Sequence, residues 1–168
     1  YGVQSTTVVA DAGYGSEQNY EYLFNEDITP YVKFNYFHSE QKKKYKNNPF
    51  LPANLYYNEK ENYYICPMGQ HMRFVRQERR KSDTGYVSTI SIYQAERCDG
   101  CPLRCKCHKS KNNRVIEVNH ILNQYKTQIR ELLNSPTGLY HRSKRQIEPE
   151  SVFGHIKNCG KFRRFQLQ

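Results

Sequence analysis

Two carboxylates and a group of cysteines are the residues of this chain best equipped for chemistry. Near the carboxyl end, Arg142-Ser-Lys-Arg-Gln-Ile-Glu-Pro-Glu-Ser-Val-Phe-Gly-His-Ile-Lys157 sets Glu150 among cations, and Lys161-Phe-Arg-Arg-Phe165 follows. In a helix, a spacing of seven returns to one face after two turns, so Glu150, Phe153, Gly154 and Lys157 share a face. One acid on a cationic helix suits a polyanion with a metal ion held against it. On charge pattern alone, a solvated cationic face is the simpler reading. The second carboxylate is Asp11. Ser5-Thr-Thr-Val-Val-Ala10 has the texture of a buried strand and delivers Asp11 at its carboxyl end, before Ala-Gly-Tyr-Gly15. That is a common ligand position in open α/β sheets, although an aspartate at a strand-to-helix turn also serves as a turn or cap residue.

The cysteines cluster in two places. Cys66-Pro-Met-Gly69 closes one predicted strand, and Cys98-Asp-Gly-Cys101-Pro-Leu-Arg-Cys105-Lys-Cys107-His108 follows another. Cys-x-x-Cys with further cysteines close behind is a turn-based half-site for a tetrahedral metal, completed by ligands from a neighbouring hairpin. Thiolates favour zinc among the abundant divalent ions. Small buried thiols or a redox pair are the competing readings. Without a secretory signal, six cysteines point to metal or free thiols rather than to a disulfide framework. Cys159 stands apart and reads as a plain thiol.

The elements that must position these groups follow from periodicity. Ser16 is a good N-cap for a helix reaching about Asn25, and 28–34 reads as a second strand with Pro30 at its start or on an exposed edge. The stretch 41–48, Gln-Lys-Lys-Lys-Tyr-Lys-Asn-Asn, has no apolar period and reads as a mobile basic loop. Four runs with period two, at 55–57, 62–66, 72–76 and 86–93, predict a meander of short antiparallel strands. A last strand covers 114–118. Asn119 then caps a helix through about Leu133 with an apolar stripe, and 134–138 breaks it. The final segment starts near Leu139 and kinks or starts a fresh helix at Glu148–Pro149, either of which places Glu150 in a first helical turn, where a carboxylate is welcome. Three parts result: 1–50 with Asp11, a Cys-rich β module over 51–118, and carboxyl-terminal helices over 119–168.

Lys and Arg number 26 against 16 Asp and Glu, a formal charge of +10, which favours a polyanionic partner in a salt-sensitive way. There is neither a signal peptide nor an apolar run of membrane-crossing length, so a soluble, cytoplasmic protein without a membrane partner is expected. The chain opens on Tyr1 and enters an apolar run at once, which reads as the carboxyl-side fragment of a longer polypeptide.

Taken together, the motifs carry a resemblance. Glu-x-x-Phe-Gly-x-Ile-Lys with the following Phe-Arg-Arg-Phe resembles the end of the catalytic domain in bacterial insertion-sequence transposases of the DDE superfamily. Ala-Asp-Ala-Gly-Tyr-Gly-Ser-Glu-Gln-Asn is similar to their second-aspartate motif. Cys-Pro-x-Gly with Cys-x-x-Cys-Pro-Leu-x-x-x-Cys is similar to an insertion that some relatives carry between the second Asp and the Glu. The order along the chain matches.

The resemblance implies an α/β chain: a partial ribonuclease-H-like fold with an inserted antiparallel β zinc-binding module. It implies two-metal phosphoryl transfer on DNA, with Asp11 and Glu150 as ligands of Mg²⁺ (or Mn²⁺). It places zinc on Cys66, Cys98, Cys101 and Cys107, with Cys105 extra and the substitute for Cys107. Lys157 belongs to a Tyr–Arg–Glu–Lys signature in which strict spacing falls on Ser143 and Gln146. Tyr140, Arg142 and Arg145 are the nearby candidates, and the choice between Arg142 and Arg145 stays open. Lys161, Arg163 and Arg164 would track DNA, with transposon ends as the target. The family's first aspartate lies on an earlier strand, so the chain is expected to be inactive alone and to need the amino-terminal part of the same polypeptide. Whether it forms a homodimer is open. A zinc-dependent nucleic-acid-binding module without catalysis is the alternative from another class.

Overall fold

The computed structural model describes residues 4–144. They divide between two compact units: one takes the chain to Asn35 and resumes at Lys126, and the other is Tyr36–Tyr125.

The first unit begins with β1 (Thr7–Ala10), a single 3-10 turn (Ala12–Tyr14), α1 (Glu17–Asn25) and β2 (Thr29–Val32). β1 and β2 pair in parallel, with Thr7 opposite Thr29 and Ala10 opposite Val32. A parallel pair needs a crossover, and α1 supplies it. Ser16 caps α1 as its type predicts, its hydroxyl accepting the Asn19 N–H at 3.2 Å. The helix buries Tyr20 and Leu23, and the Tyr20 hydroxyl donates to the Val32 carbonyl at 3.0 Å. Pro30 stands second in β2, a strand paired on one edge only among the described residues, so its missing N–H interrupts no ladder there.

In the second unit, two four-residue helices, α2 (Phe37–Glu40) and α3 (Lys43–Lys46), precede a five-stranded antiparallel sheet. α3 lies where a mobile basic loop was expected; the run lacks an apolar stripe, and a single turn held by local backbone bonds needs none. The sheet order is β3 (Tyr56–Asn58), β4 (Tyr63–Ile65), β5 (His71–Lys81), β6 (Val87–Ala95) and β7 (Val115–Val118). β5 runs five residues beyond the predicted end at Arg76; its outer half, Arg-Gln-Glu-Arg-Arg-Lys, is polar throughout and extends by pairing with β6. One face of the sheet buries Tyr64, Met72, Tyr93, Ala95, Ile116 and Val118 together with Cys98. Between β6 and β7 sits α4 (Arg104–Cys107), a single turn inside the cysteine-rich segment.

α5 (His120–Asn134) carries the chain from the second unit to the first. Asn119 caps it, its Oδ1 accepting the Leu122 N–H at 2.8 Å. Its later part buries Ile129 and Leu133, and Lys126 and Arg130 each lie 5.6 Å from the Phe34 ring centre. Helical backbone resumes as α6 at 136, three residues earlier than predicted, and holds through 144, the last described residue. Pro136 suits a first helical position, and Ser135 caps it by accepting the Gly138 N–H at 3.1 Å. Gly138 packs so closely that a Cβ there would meet the Leu132 carbonyl and stand 2.8 Å from Leu133 Cα. No helix among the described residues is long and apolar enough to cross a membrane.

Candidate functional site

Asp11 occupies the carboxyl end of β1, immediately before the 3-10 turn, with extended backbone (φ −77°, ψ 169°). It is exposed, and its side chain makes no capping hydrogen bond to that turn. Gly15 fixes where the turn lies: a Cβ there would collide with the Lys33 carbonyl and stand 2.8 Å from both Phe34 Cα and the Tyr20 hydroxyl. The backbone after Asp11 is therefore pressed against the end of β2, leaving the carboxylate at the strand's carboxyl edge. A hard oxygen donor in that place fits a divalent cation such as Mg²⁺.

The cysteines gather in the second unit. Cys66, Cys98, Cys101 and Cys107 line one cavity with His108 and Arg114. The cavity holds about 20 Å³, room for a single water or ion. Cys66 arrives from the end of β4, where the Cys66–Gly69 turn closes through a Gly69 N–H to Cys66 carbonyl bond of 2.8 Å. Gly69 has φ +78°, the left-handed region that favours glycine. Cys98, Cys101 and Cys107 arrive from the segment after β6, with Gly100 at φ +70° between the first two. Cys105 is exposed and lies off the cavity.

Arg114 and His108 join this group, and the motifs alone did not single them out. Arg114 is only 5% exposed. Its guanidinium donates to Cys107 Sγ at 3.2 Å and to the Phe50 carbonyl at 2.5 Å, while its backbone N–H donates to Cys98 Sγ at 3.3 Å. Both ring nitrogens of His108 are buried without a hydrogen-bond partner. Burial, then the Arg104 and Arg114 cations, hold its pKa below the ordinary imidazole value, which favours the neutral ring with a free lone pair. The sequence did place a histidine directly after Cys107, and that adjacency was the available signal. The donor chemistry, soft sulfur with imidazole, fits zinc. Still, among the described residues no three or more His, Cys, Asp or Glu side chains are grouped so as to hold a metal ion.

Arg142 lies in the first unit, where its guanidinium donates to the Leu133 carbonyl at 3.2 Å and to Asn134 Oδ1 at 3.4 Å. A cation on the last carbonyls of α5 is favoured by the helix dipole. Tyr140 is exposed, with the Lys144 ammonium 5.8 Å from its ring centre. Arg145, Gln146, Glu150, Lys157, Cys159, Lys161, Arg163 and Arg164 lie outside the described residues.

One family matches, the transposase DDE domain, over residues 65–168. The chain belongs to this transposase family. The matched span starts at the end of β4 and takes in the cysteine segment, α5 and the stretch containing Glu150; Asp11 precedes it. No curated protein matches the chain, and no solved structure does. A mixed α/β chain with an antiparallel sheet fits a DDE transposase domain. Membership of the family brings a transposase role, a general use of divalent metal, and DNA as the implied partner.

Proposed function

We propose that this chain is the carboxyl-side part of a ribonuclease-H-like DDE transposase catalytic domain that cuts and joins DNA at transposon ends. The observation that carries the reading is the family match running through the Glu150 stretch. The exposed Asp11 at the carboxyl end of a parallel strand supports it independently. Asp11 and Glu150 would hold Mg²⁺ or Mn²⁺. Bound there, such ions activate an attacking hydroxyl and stabilise the leaving oxygen.

The chain's own groups do the rest. Lys157, with Arg142 or Arg145, neutralises the phosphate beside the scissile bond, and Lys161, Arg163 and Arg164 hold the flanking backbone. The parallel β1–α1–β2 unit supplies the rigid base on which Asp11 stands, since a strand end positions a ligand better than a free loop. Cys66, Cys98, Cys101 and Cys107 would hold a structural zinc in the β module. Catalysis further requires the first aspartate, from the amino-terminal part of the same polypeptide.

The test is DNA nicking by a polypeptide that includes this chain and that preceding part, with and without Mg²⁺. Metal-dependent nicking that Asp11→Asn and Glu150→Gln each abolish is the expected result. Retained nicking in both variants removes Asp11 and Glu150 from the metal site, and DNA binding with no metal-dependent nicking favours the non-catalytic nucleic-acid-binding module instead.

A further inference from the structure

The β5–β6 hairpin extends past the rest of its sheet. β4 pairs with β5 only over His71–Arg73, and β7 pairs with β6 only over Ser91–Gln94. Beyond those limits, Glu78, Arg79, Arg80 and Lys81 pair only with Ile90, Thr89, Ser88 and Val87. At about 3.4 Å per residue this makes a two-stranded ribbon roughly 14 Å long before its turn.

Its two faces differ in charge. Strand alternation puts Arg76, Glu78 and Arg80 on one face, and there the charges cancel. Glu78 bonds Arg76 at 2.8 Å and Arg80 at 3.1 Å, and Glu117 on β7 takes Arg80 in a two-pronged bond at 2.7 Å. The other face continues the side of the sheet that carries the core and presents Gln77, Arg79 and Lys81 beside Ser91, Thr89 and Val87. Arg79 and Lys81 are exposed and have no acidic partner among the described residues. Asp83 in the turn is the ribbon's remaining acid.

We infer that this ribbon is a duplex-DNA contact, with the Arg79–Lys81 face against phosphate and the strand pair entering the major groove. The inference rests on the transposase reading and gives that reading a second contact surface, far in sequence from the carboxyl tail. The major groove admits a two-stranded β-ribbon as well as a helix. The self-neutralised face, tied to β7 through Glu117, stiffens the ribbon, while the unpaired cations are left for an external polyanion. Thr89 adds a hydroxyl to the same face, of the kind that bonds phosphate oxygen.

The experiment measures affinity of the chain for a random-sequence duplex across a salt series. It compares the native chain with Arg79→Gln/Lys81→Gln and with Lys60→Gln/Lys109→Gln, which removes the same charge from exposed positions off the ribbon. Losing two phosphate contacts should shallow the slope of log affinity against log salt by about 1.8, with the control pair shifting it far less. Native binding with an unchanged slope in the ribbon variant overturns the inference and leaves the transposase reading standing. An equal shift in the control pair also overturns it, because net charge would then suffice. No duplex binding by the native chain overturns the inference, while the catalytic reading is decided separately by the nicking assay.

Discussion

Asn62 is where a single substitution should cost the second unit most for its size. It lies in the β3–β4 turn at φ +53°, the left-handed region that asparagine tolerates better than most residues. Its Oδ1 accepts from the Tyr93 hydroxyl at 2.7 Å and the Tyr57 hydroxyl at 2.9 Å. Tyr93 is 1% exposed, so a hydroxyl left without a partner there would cost about 1–3 kcal/mol. His120 Nε2, 2.8 Å from the same hydroxyl, takes up part of that loss, and Tyr57 can turn to water. Asn62→Gly removes the acceptor while keeping the backbone easy, and should cost about 1–2 kcal/mol. Asn62→Ala adds a left-handed penalty of roughly 1 kcal/mol more. Asn62→Asp keeps both acceptor and backbone and should stay within about 1 kcal/mol of the native chain. With no Trp in the sequence, urea unfolding followed by far-ultraviolet circular dichroism is the assay, compared at constant m-value. A glycine variant as stable as the native chain would refute the reasoning.

Other expectations follow from the same packing. His120 is half-buried against Tyr57 and Tyr93, and desolvation lowers its pKa in the folded chain. Its stabilising contribution is therefore present above the unfolded value of about 6.5 and lost as pH falls through the folded one. Unfolding free energy measured from pH 8 down to pH 5 should decline with a slope that His120→Phe reduces; an unaltered slope would count against it. Gly15→Ala should destabilise the first unit by about 1–3 kcal/mol through overpacking against Lys33 and Phe34, seen as faster amide exchange in α1 and β2. Metal analysis of the purified chain should find about one zinc, bound through sulfur near 2.3 Å, and Cys107→Ser should lower that content where Cys105→Ser does not.

Much of the framework was legible from local signals. Ser16 and Asn119 are caps by type and are caps in the structure. The β-branched run before Asp11 and the period-two runs of the meander gave strands close to their observed places. What escaped had no local signature. The outer half of β5 is polar throughout, so its register depends on β6 and on a bulge between Phe74 and Arg76 that composition does not announce. Arg114 reads as the polar start of a strand, and only the tertiary fold sets its guanidinium on Cys107. The cysteines cluster at the ends of the meander, and Cys66, Cys98, Cys101 and Cys107 are among the residues lining one cavity. Their mutual orientation depends on side-chain torsions that spacing does not encode.

Asp11 and Glu150, separated in sequence by the whole cysteine-bearing unit, are proposed to serve one metal centre. Substituting Fe²⁺ for Mg²⁺ and adding ascorbate with peroxide generates short-lived radicals that cut the backbone beside the bound ion. The cut positions are then mapped by mass spectrometry in a polypeptide containing this chain and its preceding part. A shared centre gives cuts clustered near residue 11 and near residue 150, which excess Mg²⁺ suppresses together and Asp11→Asn removes together. Cuts beside only one of the two acids, or cuts near residue 150 that persist in Asp11→Asn, would contradict it.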